Sequence, residues 1–209
     1  MKDHLRAIEK SLAFCNNMNI NTLRVDTISP PDDLNQLEYA VRFNRLAKTW
    51  QAAADTCQKA GVKLVWEFEP GFWLNKPSEI LAIVEAVDHD NFKVLFDTSH
   101  AYMCAVIGAR QNGEKETLEG GVVEFAKKLK SHIGHFHLID SDGTLHDEET
   151  STHSPFGTGN INFVEVISAI KAEVEPLDWW CFDFCFCPTT ETDARKAIPF
   201  VEEVIRQVS

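Results

Sequence analysis

Positive charge is scarce in this sequence of 209 residues. Lysine and arginine total 20 against 32 aspartates and glutamates, which gives a formal net charge of -12 at pH 7. Proteins that hold DNA or RNA normally present a basic face to the phosphates, so this shortage disfavours nucleic-acid partners. The sequence also lacks an apolar run of the roughly 18–20 residues that span a bilayer, which argues against a membrane partner.

We expect neither a secretory leader nor a disulfide framework. The first ten residues, MKDHLRAIEK, are charged and helical in pattern, unlike a signal peptide. The six cysteines do not have the spacing of a secreted scaffold, so we predict reduced thiols and a cytoplasmic location. Cys181, Cys185 and Cys187 lie close together, but not at zinc-finger spacing, and we predict that they are small buried apolar residues.

Helical and strand patterns alternate along the chain, which is typical of βαβ units around a parallel sheet. We predict six helices and five strands, the strands at about residues 22–27, 62–68, 92–97, 135–139 and 179–184. There is no internal repeat and no convincing linker. Residues 1–209 are therefore expected to form a single α/β domain of the TIM-barrel type.

A closed barrel of that type has eight strands and typically about 250 residues. The predicted strands account for about five of the eight, which predicts a barrel that is incomplete at its N-terminal side. An open sheet of this kind leaves its edge strands unpaired. Closure would then need another segment of chain or another subunit, as in a homo-oligomer.

Four residues of metal-ligand type lie at the ends of four successive predicted strands: Glu67, Asp97, His137 and Asp183. Each has an ordinary alternative, since Glu67 could pair with a cation, Asp97 could cap a helix, and a lone histidine is often a core residue. As a set they predict one metal site at the C-terminal mouth of a β/α barrel. Two or three carboxylates with one imidazole suit Mn, Mg, Co, Fe or Zn without selecting among them.

Other polar residues are expected around this mouth. Glu69 precedes Pro70-Gly71 and is predicted to lie at the rim, where it could contact a substrate. His100 follows Asp97 by three residues. A long polar loop over residues 140–160 carries His146 and His153, which are either substrate ligands or solvated side chains.

The strands and one loop segment resemble those of the xylose isomerase-like barrel superfamily. The similar segments are VKLVWEFEP, LFDTSH, HFHLID and the Pro/Gly-containing SPFGTGNINF. The resemblance implies that Glu67, Asp97, His137 and Asp183 are metal ligands and that His100 contacts substrate. Family epimerases usually have glutamate where this chain has Asp183, so the sequence departs from the pattern there.

The resemblance also implies a reaction and a cofactor. We expect a metal-dependent isomerase or epimerase, with Mn, Mg, Co or Zn, that acts on a small carbohydrate, phosphorylated or not. Glu67 would remove a proton next to a carbonyl and Asp183 would deliver one from the opposite side. The alternatives are a dehydratase of the inosose type, which shares the first step, and a non-catalytic barrel fragment. A DNA-repair enzyme of the endonuclease IV type is disfavoured by the acidic charge.

Overall fold

The chain folds around one curved parallel sheet. The computed structural model describes residues 2–31 and 36–208. The strands, numbered in chain order, are β1 (Thr22–Val25), β2 (Lys63–Glu67), β3 (Phe92–Asp97), β4 (Ile133–Leu138), β5 (Leu145–His146), β6 (Thr150–Ser151) and β7 (Trp180–Phe182). The main sheet has the order β1-β2-β3-β4-β7 with every neighbouring pair parallel, and β5 pairs with β6 in a small antiparallel hairpin.

Helices separate successive strands of the main sheet. They are α1 (Lys2–Met18), α2 (Gln36–Lys59), α3 (Pro77–Val87), α4 (Thr98–Tyr102), α5 (Gly121–Leu129), α6 (Phe163–Val174) and α7 (Thr190–Val208). A π-helical segment, Met103–Ile107, continues α4, and a 3-10 turn, Lys130–His132, precedes β4. The five main strands and their parallel order are those that the alternating sequence pattern predicts.

Strand alternation divides the sheet into two chemically different faces. Trp66 of β2 packs on Trp50 of α2 at 5.1 Å between ring centroids, and Phe96 of β3 packs on Phe125 of α5 at 6.1 Å. These rings belong to a buried apolar layer between the sheet and the helices. The opposite, concave face carries residues of the other parity, including Val65 and His135, and lines an open cavity.

Two connections differ from the sequence prediction. After β3 the chain forms α4, a helix beyond the six predicted, because Asp97 Oδ1 accepts the backbone N–H of His100 at 2.9 Å and so caps the helix. The long polar loop contains the β5–β6 hairpin, which folds back over the mouth of the sheet. At the C-terminal side, β7 is shorter than the predicted strand 179–184, so Asp183 lies just beyond it.

Within the described residues the sheet remains open. The edge strands β1 and β7 each pair on one side only. Asn21 lies just before β1 and Asp178 just before β7, and Asn21 Nδ2 donates to Asp178 Oδ2 at 3.0 Å. The sheet therefore curls far enough for its two edges to touch at their N-terminal ends. None of the helices in residues 2–31 and 36–208 is both long and apolar enough to cross a bilayer.

The aromatic layer provides a test of the fold. Phe125 is fully buried and its ring lies 5.3 Å from that of Phe68, so Phe125→Ala should lower the free energy of unfolding by about 3–5 kcal/mol. Phe14→Ala also removes a phenyl ring, but from a position that is 60% exposed, and should change the free energy of unfolding by less than about 0.5 kcal/mol. Urea denaturation measures both, and equal effects would contradict this description of the core.

Candidate metal centre

The strand ends bring four ligand-type side chains together. Glu67 ends β2, Asp97 ends β3, His137 is the penultimate residue of β4, and Asp183 follows β7. In the sheet, Asp97 is the partner of His137 across β3 and β4. One ligand atom from each of the four lies within 4.8 Å of the other three. The sequence prediction grouped these residues, and the structure places them in one cluster.

His137 lies at the centre of this cluster. Its Nδ1 atom is 3.1 Å from Asp183 Oδ2, 3.2 Å from Glu67 Oε1 and 3.9 Å from Asp97 Oδ2. Glu67 and Asp97 are 1% and 0% exposed, and neither Glu67 Oε1 nor Asp97 Oδ2 makes a hydrogen bond of acceptable geometry. A single imidazole proton cannot satisfy three carboxylates, whereas a divalent cation bound by all four side chains would compensate the buried charge. The residues therefore fit a metal ion.

Asp97 both caps a helix and offers a free oxygen to the cluster. Its Oδ1 atom caps α4, as in the helix-cap interpretation. Its Oδ2 atom has no hydrogen-bond partner and faces His137. One carboxylate oxygen is thus held rigidly by the backbone while the other is available as a ligand.

The electrostatics of the cluster shift the pKa values of three members. Burial by itself lowers the pKa of His137, but the hydrogen bond with Asp183 and the close Glu67 carboxylate outweigh it and raise this pKa to about 10. Burial raises the pKa of Asp97 to about 7, against the opposing effect of the nearby His153. Burial also acts to raise the pKa of Asp183, yet the hydrogen bond with His137 and the nearby His153 ring hold it well below its usual range.

Arg24 of β1 also enters the site. Its guanidinium forms a close ion pair with Glu67 Oε2 through Nη1, and its Nε donates to Asp26 Oδ1 at 2.9 Å. Its Nη2 lies 3.9 Å from Glu69 Oε1. Glu67 therefore does pair with a cationic side chain, as the alternative interpretation held, but only through Oε2. Its Oε1 atom is directed to His137. Sequence spacing gave little signal for this contact, since it joins two strands.

The β5–β6 hairpin supplies polar partners at the rim. Thr150 Oγ1 donates to Glu69 Oε2 at 2.6 Å, and His100 Nδ1 lies 2.8 Å from Ser151 Oγ. Burial raises the pKa of Glu69, with the hydrogen bond from Thr150 opposing that shift. Sequence reasoning missed Thr150 and Ser151, because a polar loop residue carries no signal of which strand it will meet.

His153, rather than His146, reaches the cluster from the long loop. His153 is buried, its ring lies 5.2 Å from that of His100, and its Nδ1 is 3.4 Å from Asp183 Oδ1. Among the described residues neither of its ring nitrogens has a well-aligned hydrogen-bond partner. His146 instead stacks on Phe186 at 4.3 Å. His153 can therefore offer hydrogen bonds to a bound molecule.

A cavity of about 430 Å³ opens above these residues. Its size is within the range of small-molecule sites, about 300–1,000 Å³. Acidic, basic, imidazole and aromatic side chains line it, among them Arg24, Glu67, Glu69, Phe72, His100, Arg110, His153, Asp183 and Phe186. The three residues predicted to contact substrate, Glu69, His100 and His153, all belong to this lining.

The cysteines near β7 are not buried as predicted. Cys181 and Cys187 are partly exposed and Cys185 is exposed, because β7 is an edge strand that ends at Phe182. All three are free thiols. The backbone N–H of Cys185 donates to Asp183 Oδ1 at 3.0 Å and helps to orient that carboxylate.

Comparison with known proteins gives a family and a curated relative. A family model described as a xylose isomerase-like TIM barrel matches residues 1–202 of the chain. An uncharacterized protein of Methanocaldococcus jannaschii is 29% identical over 130 residues. That alignment covers 62% of this chain and 38% of the relative, so the chain matches well under two thirds of the relative's length.

Solved structures share the fold at low sequence identity. A D-tagatose 3-epimerase-like protein has a TM-score of 0.70 at 22% identity, over 98% of this chain and 69% of that one. The IolI protein with a bound zinc atom has a TM-score of 0.67 at 19% identity, over 97% and 68%. The probable 3-DHS dehydratase AsbF of Bacillus anthracis has a TM-score of 0.67 at 18% identity, over 94% and 69%. The predicted fold class is confirmed.

Metal binding to this cluster should release protons. At pH 7, His137, with a pKa of about 10, holds a proton, and Asp97, with a pKa of about 7, holds one about half of the time. Ligands bind metal in the deprotonated form, so we expect about one to two protons released per Mn²⁺ at pH 7 and an affinity that rises with pH up to about 10. Titration calorimetry in buffers of different ionisation enthalpy measures this. The prediction would be contradicted if no protons were released, or if His137→Gln released as many protons as the wild-type protein.

The Arg24 ion pair should matter most to the metal-free protein. Arg24→Leu leaves Glu67 buried without its cation, which we expect to cost about 1–2 kcal/mol, moderated by water because the Arg24 side chain is 41% exposed. A bound divalent ion supplies positive charge to Glu67, so Mn²⁺ should recover most of that loss. Thermal unfolding with and without Mn²⁺ measures both effects. Arg195→Leu, which breaks an exposed pair with Glu191, is the matched control and should change the stability little. If Arg24→Leu lost the same stability with and without Mn²⁺, the prediction would be wrong.

Proposed function

The chain belongs to the xylose isomerase-like TIM barrel family, and from that premise we propose that it is a divalent-metal-dependent isomerase or epimerase of a sugar, sugar phosphate or related keto-polyol. The reaction is proton transfer at a carbon next to a carbonyl. The observation that carries the proposal is the four-residue cluster, in which two buried carboxylate oxygens have no hydrogen-bond partner and two members, Glu67 and Asp183, line a cavity.

Glu67, Asp97, His137 and Asp183 would hold one divalent ion. Such an ion supplies electrostatic stabilisation of the negative charge that develops on adjacent substrate oxygens when a C–H proton is removed. Asp97 and His137 have purely holding roles in this proposal. The mixed oxygen and nitrogen set is compatible with Mn, Mg, Co or Zn.

Glu67 is the proposed proton acceptor. Its Oε1 atom, which has no hydrogen-bond partner and is directed to His137, would bind the ion, so Oε2, beside Arg24, would take the proton. Asp183 is the proposed donor on the other side of the site, and because its pKa is low it would first take the proton from His153, whose Nδ1 lies 3.4 Å from Asp183 Oδ1. The Asp183 carboxylate lies 3.1 Å from His137 Nδ1, and that of Glu67 lies 3.2 Å from the same atom. Asp183 follows the edge strand β7 whereas Glu67 ends β2, so the two carboxylates approach His137 from different strands. Paired carboxylates of this kind can remove and return a proton on opposite faces of one carbon.

Substrate recognition is assigned to the rim. His100, His153 and Glu69 would bind hydroxyl and carbonyl oxygens, since imidazole and carboxylate groups together accept and donate hydrogen bonds. Phe72 and Phe186 add apolar surface to the cavity lining, against which the carbon skeleton of a substrate would pack. Arg24 and Arg110 also line the cavity, which supports testing phosphorylated substrates beside free sugars.

The proposal is tested by proton exchange. The protein is incubated with Mn²⁺ and a panel of free and phosphorylated ketoses in D₂O, and deuterium at the carbon next to the carbonyl is followed by NMR. Glu67→Gln keeps the size of the side chain but removes the base, so exchange on any accepted substrate should fall by about 10²–10⁴-fold.

The control is Glu124→Gln, which alters a partly exposed carboxylate on α5 paired with Lys128 and should leave the rate unchanged. Full exchange activity in Glu67→Gln would eliminate the assigned role. Loss of water from an inosose-type substrate, instead of an epimer, would identify a dehydratase that uses the same first step. Absence of exchange on every substrate, in a folded protein that binds Mn²⁺, would support the non-catalytic alternative.

A further inference from the structure

A second group of metal-ligand type lies on the concave face of the sheet, beside the carboxylate cluster. Cys181 of β7 is the sheet partner of His137 of β4, and His135 lies two residues earlier on the same face of β4. One ligand atom from each of His135, His137 and Cys181 lies within 4.8 Å of the other two. The proposed reaction uses neither His135 nor Cys181.

The spacing within this group fits metal coordination. Cys181 Sγ lies 3.5 Å from His135 Nε2, and the two histidine rings are 5.3 Å apart at an angle of 71°. With bonds of about 2.3 Å to sulfur and about 2.0–2.1 Å to nitrogen, two ligands of a tetrahedral zinc ion are separated by about 3.5 Å. In the metal-free protein a thiol–imidazole contact of this length is a weak hydrogen bond, which a bound ion would replace.

An ion can reach this group from solvent. His135 and His137 line an open cavity of about 790 Å³ on the concave face, together with Val65 and Leu95. His135, His137 and Cys181 are each partly exposed, and the Cys181 thiol is free. The ligand chemistry differs from that of the first cluster, because a thiolate with imidazoles prefers softer ions than carboxylates do.

We propose that His135 and Cys181, with His137 shared between the two clusters, form a second metal site that takes a thiophilic ion such as Zn²⁺, Co²⁺ or Cd²⁺. On binding, the Cys181 thiol and the protonated His137 ring each give a proton to solvent, so that the thiolate and the imidazole become ligands. Cys185 and Cys187 take no part, so this is not a cysteine cluster. The sharing of His137 places the two metal sites side by side along β4.

Cobalt spectroscopy tests the site. The chelator-treated full-length chain, kept reduced without a competing thiol, is titrated with Co²⁺, and the near-ultraviolet thiolate-to-cobalt charge-transfer band is recorded. We expect the band in the wild-type protein and its loss in both Cys181→Ser and His135→Gln. Cys187→Ser is the matched control and should keep it, because that thiol contacts Thr189 instead of a histidine. Circular dichroism verifies that each variant is folded.

Asp97→Asn separates this proposal from the proposed enzyme site. It removes a ligand of the first cluster only, so the band should persist while binding of the oxygen-preferring Mn²⁺ is lost. If Asp97→Asn abolishes the band in a folded protein, the thiolate belongs to a single joint site and the second site is disproved. Failure of the exchange reaction above, by contrast, would leave the band unaffected.

Alkylation provides a second readout that does not depend on a variant. In the wild-type protein, Zn²⁺ should slow the reaction of Cys181 with iodoacetamide by at least tenfold, as measured by peptide mass spectrometry, because a metal-bound thiolate is a poor nucleophile. Cys187, which contacts Thr189 and belongs to neither cluster, serves as the internal control and should react at an unchanged rate. A missing cobalt band in the wild-type protein, or equal rates at Cys181 with and without Zn²⁺, would overturn the proposal.

Discussion

The compensation of two buried negative charges is the constraint on which the site depends. Glu67 and Asp97 are almost completely removed from water at the ends of apolar strands. An uncompensated carboxylate in such a position is strongly unfavourable. The metal-free structure meets the cost with Arg24 on one oxygen of Glu67, a helix N-terminus on one oxygen of Asp97, and His137 between the two. The two remaining oxygens are the ones that a cation would bind.

The curvature of the parallel sheet explains why these groups meet. Parallel strands present all their C-terminal ends at one edge, and the aromatic layer under the helices holds the strands in register. The same alternation that sends Trp66 and Phe96 towards the helices sends His135 and His137 to the concave face. An oxygen-rich cluster and a histidine–cysteine group therefore lie next to each other because β4 contributes to both.

Local sequence patterns predicted the fold well and the connections poorly. Strand and helix order follows from apolar periodicity, which depends on neighbouring residues alone. The cap that begins α4 at Asp97 and the β5–β6 hairpin depend on contacts between specific backbone and side-chain atoms, and polar loop composition does not encode them. The exposure of Cys181 and Cys185 was predicted wrongly for a related reason, because the burial of a strand depends on whether a further strand covers its edge.

The sequence by itself determined the class of the fold and the set of four strand-end ligand candidates, since the position of a residue along a strand fixes both its face and its end of the sheet. Only the tertiary structure decided which other side chains contact these four residues and the nearby Glu69. Arg24 meets Glu67 across two strands, Thr150 meets Glu69 across 81 residues, and His153 rather than His146 turns towards Asp183. Such contacts depend on the curvature of the sheet and the path of one long loop, which are properties of the packed chain and not of any segment.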